Sequence, residues 1–269
     1  MQQVYNWYTT LVRTKLLFIG LVVLVVIGGA WFGVHHANDS NKPKSSKTTT
    51  TASKTTSQTS GFNKHQYSLT DPTSIWVIVN KQHPLNPQDY VPPDLTTPDV
   101  PLASPGAANM QMRVVTATAL TQMFTAAKQD NINLRVDSAY RSFSYQETLY
   151  SRYVATSGQA TADQESARAG YSEHQTGLSV DIGAVSGVCS LEQCFGSTPE
   201  GEWLAANSYK YGFILRYPAD KTTITGYEYE PWHFRYVGTE LSDEMHKENI
   251  QTLEEFFGVS GGTTYDTAS

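Results

Sequence analysis

From Leu16 to Val34 the chain runs 19 residues without a charge, LLFIGLVVLVVIGGAWFGV, and this run separates what can fold in water from what cannot. As a helix, roughly 20 such residues cross a hydrocarbon core of about 30 Å. Arg13 and Lys15 precede the run, so the positive-inside tendency predicts a cytoplasmic N-terminus over 1–15, a transmembrane anchor over 16–34 and the remainder outside the cell. A charged start before an apolar run also describes a cleavable signal peptide. The length of the run and the lack of an A-x-A site after it favour an uncleaved anchor, hence a single-pass protein of the cell membrane. Residues 35–61 are dominated by Ser, Thr and Lys without apolar periodicity, a composition that cannot bury a core and reads as a flexible linker. What folds must therefore lie within 62–258, with 259–269 as a flexible C-terminal tail.

Charge narrows the partners of that domain. Of 19 basic and 25 acidic side chains, the first 60 residues hold six and one, which leaves 13 against 24 from residue 61 onward. A nucleic-acid partner would need a basic face, and this balance argues against one. Cys189 and Cys194 lie in one Gly/Ser-containing stretch. They are either an oxidised pair closing a small loop, which an extracellular domain permits, or two free thiols, and they are too few for an all-thiolate zinc site.

Periodicity predicts the elements. Ile75–Val79 reads as a short strand, and HPLNPQDYVPPDL after it as Pro-punctuated extended chain. Apolar residues from Met112 to Ala127 recur at helical spacing and predict one long helix from about Ala107 to Asp130. Further helices are expected over 144–157, 161–168, Glu202–Tyr211 stopped by Gly212, and Ser242–Phe257. Strands are expected at Leu134–Ser138, Leu178–Ala184, Phe213–Leu215 and His233–Val237. The irregular alternation predicts an α+β fold with a small, mainly antiparallel sheet flanked by helices.

Two segments carry candidate chemistry. Ser172-Glu173-His174-Gln175-Thr176-Gly177-Leu178-Ser179-Val180-Asp181 sets a His and an Asp seven residues apart, and Glu230-Pro231-Trp232-His233 sets a carboxylate three residues before a second His. A catalytic zinc takes three N or O ligands and keeps a fourth position for water, and a nearby carboxylate that is not a ligand can serve as general base. Two His and one Asp meet that count, with Glu230 as the base. Either segment alone is weak evidence, since a His/Asp pair beside a strand is more often a structural hydrogen bond.

Together with VNKQHPLNPQDYVPPDL and SAYRSFSYQ, the segments SEHQTGLSVDIG and EPWHFRYVG resemble, in order, the VanY-like D-alanyl-D-alanine carboxypeptidase family over about residues 70–257. The resemblance implies a fold of the zinc D-Ala-D-Ala peptidase type. It further implies His174, Asp181 and His233 as zinc ligands, Glu230 as general base, and Arg141 as a catalytic and substrate-binding group for a terminal carboxylate or an oxyanion. Gln146 and Ser172 are implied as further substrate contacts. Trp232 is left between pocket wall and core. The expected partner is a peptidoglycan stem peptide that loses its terminal D-alanine, and the expected state is a monomer. The alternatives are L,D-carboxypeptidase action on tetrapeptide stems and, in another class, a non-catalytic wall-binding module.

Overall fold

The computed structural model describes residues 61–266. The anchor expected over 16–34 and nearly all of the linker fall outside the described residues, among which no helix is long and apolar enough to cross a membrane.

A four-stranded antiparallel sheet positions the site. Its strands are β3 (Leu134–Ser138), β4 (Ser179–Ala184), β5 (Phe213–Leu215) and β6 (His233–Tyr236), in the order β3-β4-β6-β5. Strands β1 (Leu95–Thr96) and β2 (Met112–Arg113) form a separate antiparallel pair. Side chains alternate across a strand, and β4 uses both faces. Val180, Ile182 and Ala184 enter the main core with Leu120, Met123 and Phe124 of helix α1 (Val114–Gln129). Ser179, Asp181 and Gly183 turn to the opposite face. All six residues are buried, as a central strand covered on both sides requires.

Between β3 and β4 the register slips, so that Val136 faces Ile182 while Ser138 faces Asp181. This bulge packs Asp137 against Gly183, where a Cβ would meet Asp137 Oδ2 at 2.3 Å. Asp137 is held there by Arg135 Nε at 2.6 Å and Ser190 Oγ at 2.6 Å. Ser190 lies in a loop closed by a Cys189–Cys194 disulfide. Helices α2 (Phe143–Ser157) and α3 (Gln159–Glu165) form a hairpin, and α4 (Pro199–Asn207) is capped by Thr198, whose hydroxyl accepts from Gly201 N at 3.1 Å. After the single turn α5 (Thr222–Thr225), helices α6 (Thr239–Glu248) and α7 (Leu253–Phe257) close a second core with Trp76, Ile78 and Ile214.

Several expected boundaries change. Trp76–Val79 is buried and Ile75 half-buried, but the segment is not a strand; two of its carbonyls go to one side chain, Arg235 Nη2 donating to Ile75 O at 3.1 Å and to Val77 O at 2.8 Å. The long helix expected from Ala107 starts only at Val114. Upstream of it lie a 3₁₀ turn, Ala108–Met110, and β2, and Asn109 O and Gln111 O accept from Ala139 N and Tyr140 N, at 2.6 and 2.8 Å, which holds that backbone out of the α-helix. The final helix is two, separated where Asn249 turns left-handed at φ 54°. The segment expected as a flexible tail lies against the domain as far as Asp266. There Tyr265 Oη accepts from Arg168 N at 2.9 Å, and its ring meets Tyr171 edge-on at 5.0 Å.

Candidate active site

Asp181 and His233 are direct cross-strand partners in the β4–β6 register, so their side chains emerge side by side on one face. His174 reaches the same point from a 3₁₀ turn, Glu173–Thr176, that ends at Gly177 in the left-handed region, φ 67°. A side chain at Gly177 would be strained in that conformation and would also press on Arg113 Cγ at 2.9 Å. Glu230 arrives by a tight turn: His233 N donates to Glu230 O at 3.1 Å with Pro231 at the second position, where its fixed φ suits a β-turn.

The donors converge. Asp181 Oδ1 lies 3.3 Å from His174 Nε2 and 3.4 Å from His233 Nδ1, and the three atoms fall within 4.8 Å of one another. All three residues are buried. Bonds of about 2.0–2.1 Å in a tetrahedron place ligand atoms about 3.3–3.4 Å apart, so these spacings fit a metal such as zinc. Asp181 Oδ1 is also buried without a hydrogen-bond partner among the described residues, which an interior oxygen rarely tolerates unless a water or an ion meets it. The nitrogens are set accordingly. His174 Nδ1 donates to Ala139 O at 2.6 Å, leaving the Nε2 lone pair to face the donor set.

Electrostatics sort the groups by role. Burial, reinforced by the Arg141 guanidinium, lowers His174 to about 4, so its imidazole is neutral at physiological pH. Burial would raise Asp181, yet His174 and Arg141 hold its carboxyl well below the usual range. Burial likewise opposes a charge on His233, but Glu173, Glu230 and Asp181 outweigh it and push it up to about 9, so a metal must displace a proton there. Burial raises the Glu230 carboxyl, only partly offset by His233. A carboxyl raised in this way is suited to taking and returning a proton.

Arg141 precedes α2, whose N-cap Ser142 accepts from Tyr145 N at 3.2 Å. Its Nε donates to Ser138 Oγ at 3.2 Å, and its Nη2 donates to Asp181 Oδ2 at 2.6 Å and to His174 Nε2 at 2.9 Å. With the donors and Glu230, Arg141 lines a cavity of about 290 Å³, and Ser172 and Trp232 are on its wall. Gln146 is not. It is buried behind the wall, where its amide donates to Ser166 Oγ at 3.2 Å and to Ala167 O at 2.7 Å. Motif reading passed over Ser138, Tyr217 and Glu173, which also border the cavity. Of these only Glu173 left a signal, being a carboxylate directly beside His174.

A family model described as VanY, D-alanyl-D-alanine carboxypeptidase, matches residues 109–239. YodJ of Bacillus subtilis (strain 168) is 43% identical over 190 residues, spanning 70% of this chain and 69% of YodJ. The solved LdcB LD-carboxypeptidase is 43% identical with a TM-score of 0.66, over 71% of this chain and 89% of LdcB. The vancomycin-resistance D,D-pentapeptidase VanY, solved as a mutant with Zn(II), is 35% identical with a TM-score of 0.56, over 67% of this chain and 97% of that protein. On sequence and fold alike, this chain belongs to the VanY family of D-alanyl-D-alanine carboxypeptidases and is a peptide hydrolase.

Proposed function

We propose that the chain is a zinc-dependent D-alanyl-D-alanine carboxypeptidase that removes the terminal D-alanine of peptidoglycan stem peptides. The observation that carries this reading is the approach of His174 Nε2 and His233 Nδ1 to Asp181 Oδ1, at 3.3 and 3.4 Å, in a cavity that also holds Glu230 and Arg141. The three donors would hold the ion, which when bound supplies Lewis acidity towards the scissile carbonyl and lowers the pKa of water. Glu230 takes the proton of the attacking water and returns it to the nitrogen of the departing D-alanine as the C–N bond breaks. Arg141 binds the substrate's terminal carboxylate or offsets the charge that develops on the carbonyl oxygen. Ser172 contacts the peptide terminus, and Gln146 acts from behind the wall by bracing Ser166 and Ala167. The apolar run over 16–34 anchors the enzyme, with the catalytic domain outside the cell where the wall is.

L,D-carboxypeptidase action is the second reading. The greater likeness to LdcB than to VanY, 43% against 35% identity, favours it. The experiment is to incubate the full-length protein, with and without a chelator, with stem peptides ending in Lys-D-Ala-D-Ala and in Lys-D-Ala, and to follow D-alanine by mass. Chelator-sensitive release from the first substrate supports the D,D reading. Release from the second alone replaces it with the L,D reading. Release from neither by zinc-loaded protein leaves a wall-binding module.

A further inference from the structure

The two ring nitrogens of His233 meet different surroundings. Nδ1 faces the donor set, 3.4 Å from both Asp181 Oδ1 and Glu230 Oε2. Nε2 is buried on the other side without a hydrogen-bond partner, and the carboxylate oxygen 3.7 Å from it is Glu173 Oε2. A neutral imidazole offers a lone pair at one nitrogen only when its proton sits on the other. Whatever keeps the proton on Nε2 therefore decides whether His233 can ligate. The separation is longer than a hydrogen bond. In a dry interior, however, a full negative charge at that distance still favours the tautomer whose N–H points at it.

Glu173 is built to supply that charge. Its side chain is fully buried, and Oε1 accepts from Arg216 Nε and from Arg235 Nη1, each at 2.8 Å. Oε2 accepts one bond, from Ser179 Oγ at 3.1 Å, and keeps a lone pair for His233. Arg216 is fastened in turn by both oxygens of Glu254 in α7, at 2.9 and 2.7 Å. The two carboxylates and two guanidiniums balance, which keeps Glu173 ionised and fixed despite its burial.

We propose that Glu173 is a positioning residue for the metal centre: its Oε2 keeps the His233 proton on Nε2 and so leaves Nδ1 for the cation. This rests on the zinc reading above. A backbone carbonyl, Ala139 O, does the same for His174 through Nδ1. The two histidines thus present opposite nitrogens, each fixed by a different acceptor. Arg216 and Glu254 extend the support from the metal to the C-terminal helix.

The test uses the full-length chain in detergent and the variant Glu173→Gln, which keeps the shape and removes the charge. Competition with a chromophoric chelator should show zinc bound about 10–100-fold more weakly, the range typical of lost support behind a metal ligand. In zinc-loaded wild type, ¹⁵N spectra of labelled histidine should show His233 bonded through Nδ1 with its proton on Nε2, and the variant should shift that Nε2–H signal. A variant whose metal-free form melts as wild type does, yet holds zinc within about twofold of wild type, overturns the proposal. So does a wild-type spectrum with His233 bonded through Nε2, which decides the matter even if the variant does not fold. Wild-type protein that takes up no zinc removes the zinc reading itself, a failure distinct from either of these.

Discussion

Arg141 is the residue on which substrate and metal demands meet. Its guanidinium spans Ser138 and Asp181, at 3.2 and 2.6 Å, while Nη1 has no partner among the described residues and is free to donate to a ligand. A lysine offers one ammonium without the planar fork and cannot make both bonds while holding a carboxylate. Arg141→Lys should lower kcat/KM by about 10²–10³-fold, the usual cost of losing a donor to developing charge, with zinc content unchanged. Activity within about threefold of wild type would remove Arg141 from this role. The same reading predicts that amidating the substrate's C-terminus slows wild type and affects Arg141→Lys far less. The segment holding His174 and Asp181 was weak evidence alone, and it singled out the two residues only together with the EPWH segment and the two upstream segments in the same order. It could not expose the roles of Glu173 and Gln146. Those depend on what faces them: two arginines 43 and 62 residues away for Glu173, and the Ser166 hydroxyl and Ala167 carbonyl for Gln146.

Among the elements, α7 has the most leverage for its size. It is five residues long, too short to hold by propensity alone, and it is secured by its N-cap, where Thr252 Oγ1 accepts from Glu255 N at 3.2 Å and donates to Glu255 Oε2 at 2.8 Å. Thr252→Ala should cost about 0.5–2 kcal/mol, which for a domain of this size lowers Tm by roughly 2–4 °C per kcal/mol. Because Glu254 sits in the first turn that Thr252 caps, zinc affinity should fall as well. A loss of Tm with unchanged zinc affinity would show that α7 does not reach the metal. The four-stranded sheet was legible because apolar and charged residues alternate from Leu134 to Asp137, because Phe213–Leu215 is a short apolar run, and because His233–Val237 is rich in aromatic and β-branched residues. The splitting of Ser242–Phe257 was not, since Asn249 fits a helix pattern until Ile250 N bonds Met245 O and the chain turns left-handed. Ile75–Val79 misled in the opposite way: its apolar residues serve two cores, and the carbonyls of Ile75 and Val77 go to an arginine instead of a neighbouring strand.

At the scale of the molecule, one ion would join three separate pieces of chain: the 3₁₀ turn with His174, the central strand with Asp181 and the neighbouring strand with His233. An ion that binds only the folded state stabilises it, by about 2.7 kcal/mol at a hundred times its Kd. Zinc should therefore raise Tm by roughly 5–11 °C, and a chelator should reverse the rise. The anchor over 16–34 was the plainest statement in the sequence, yet it concerns residues outside those described, and only fractionation of cells will test it. The central claim is that this metal centre hydrolyses a peptide with Glu230 as its base, and Glu230→Gln tests it most directly. The measurement is zinc content together with the rate of D-alanine release from a peptide ending in D-Ala-D-Ala. The account predicts zinc retained at wild-type stoichiometry and release slowed by about 10²–10⁴-fold. Near-normal release from the zinc-loaded variant would contradict it.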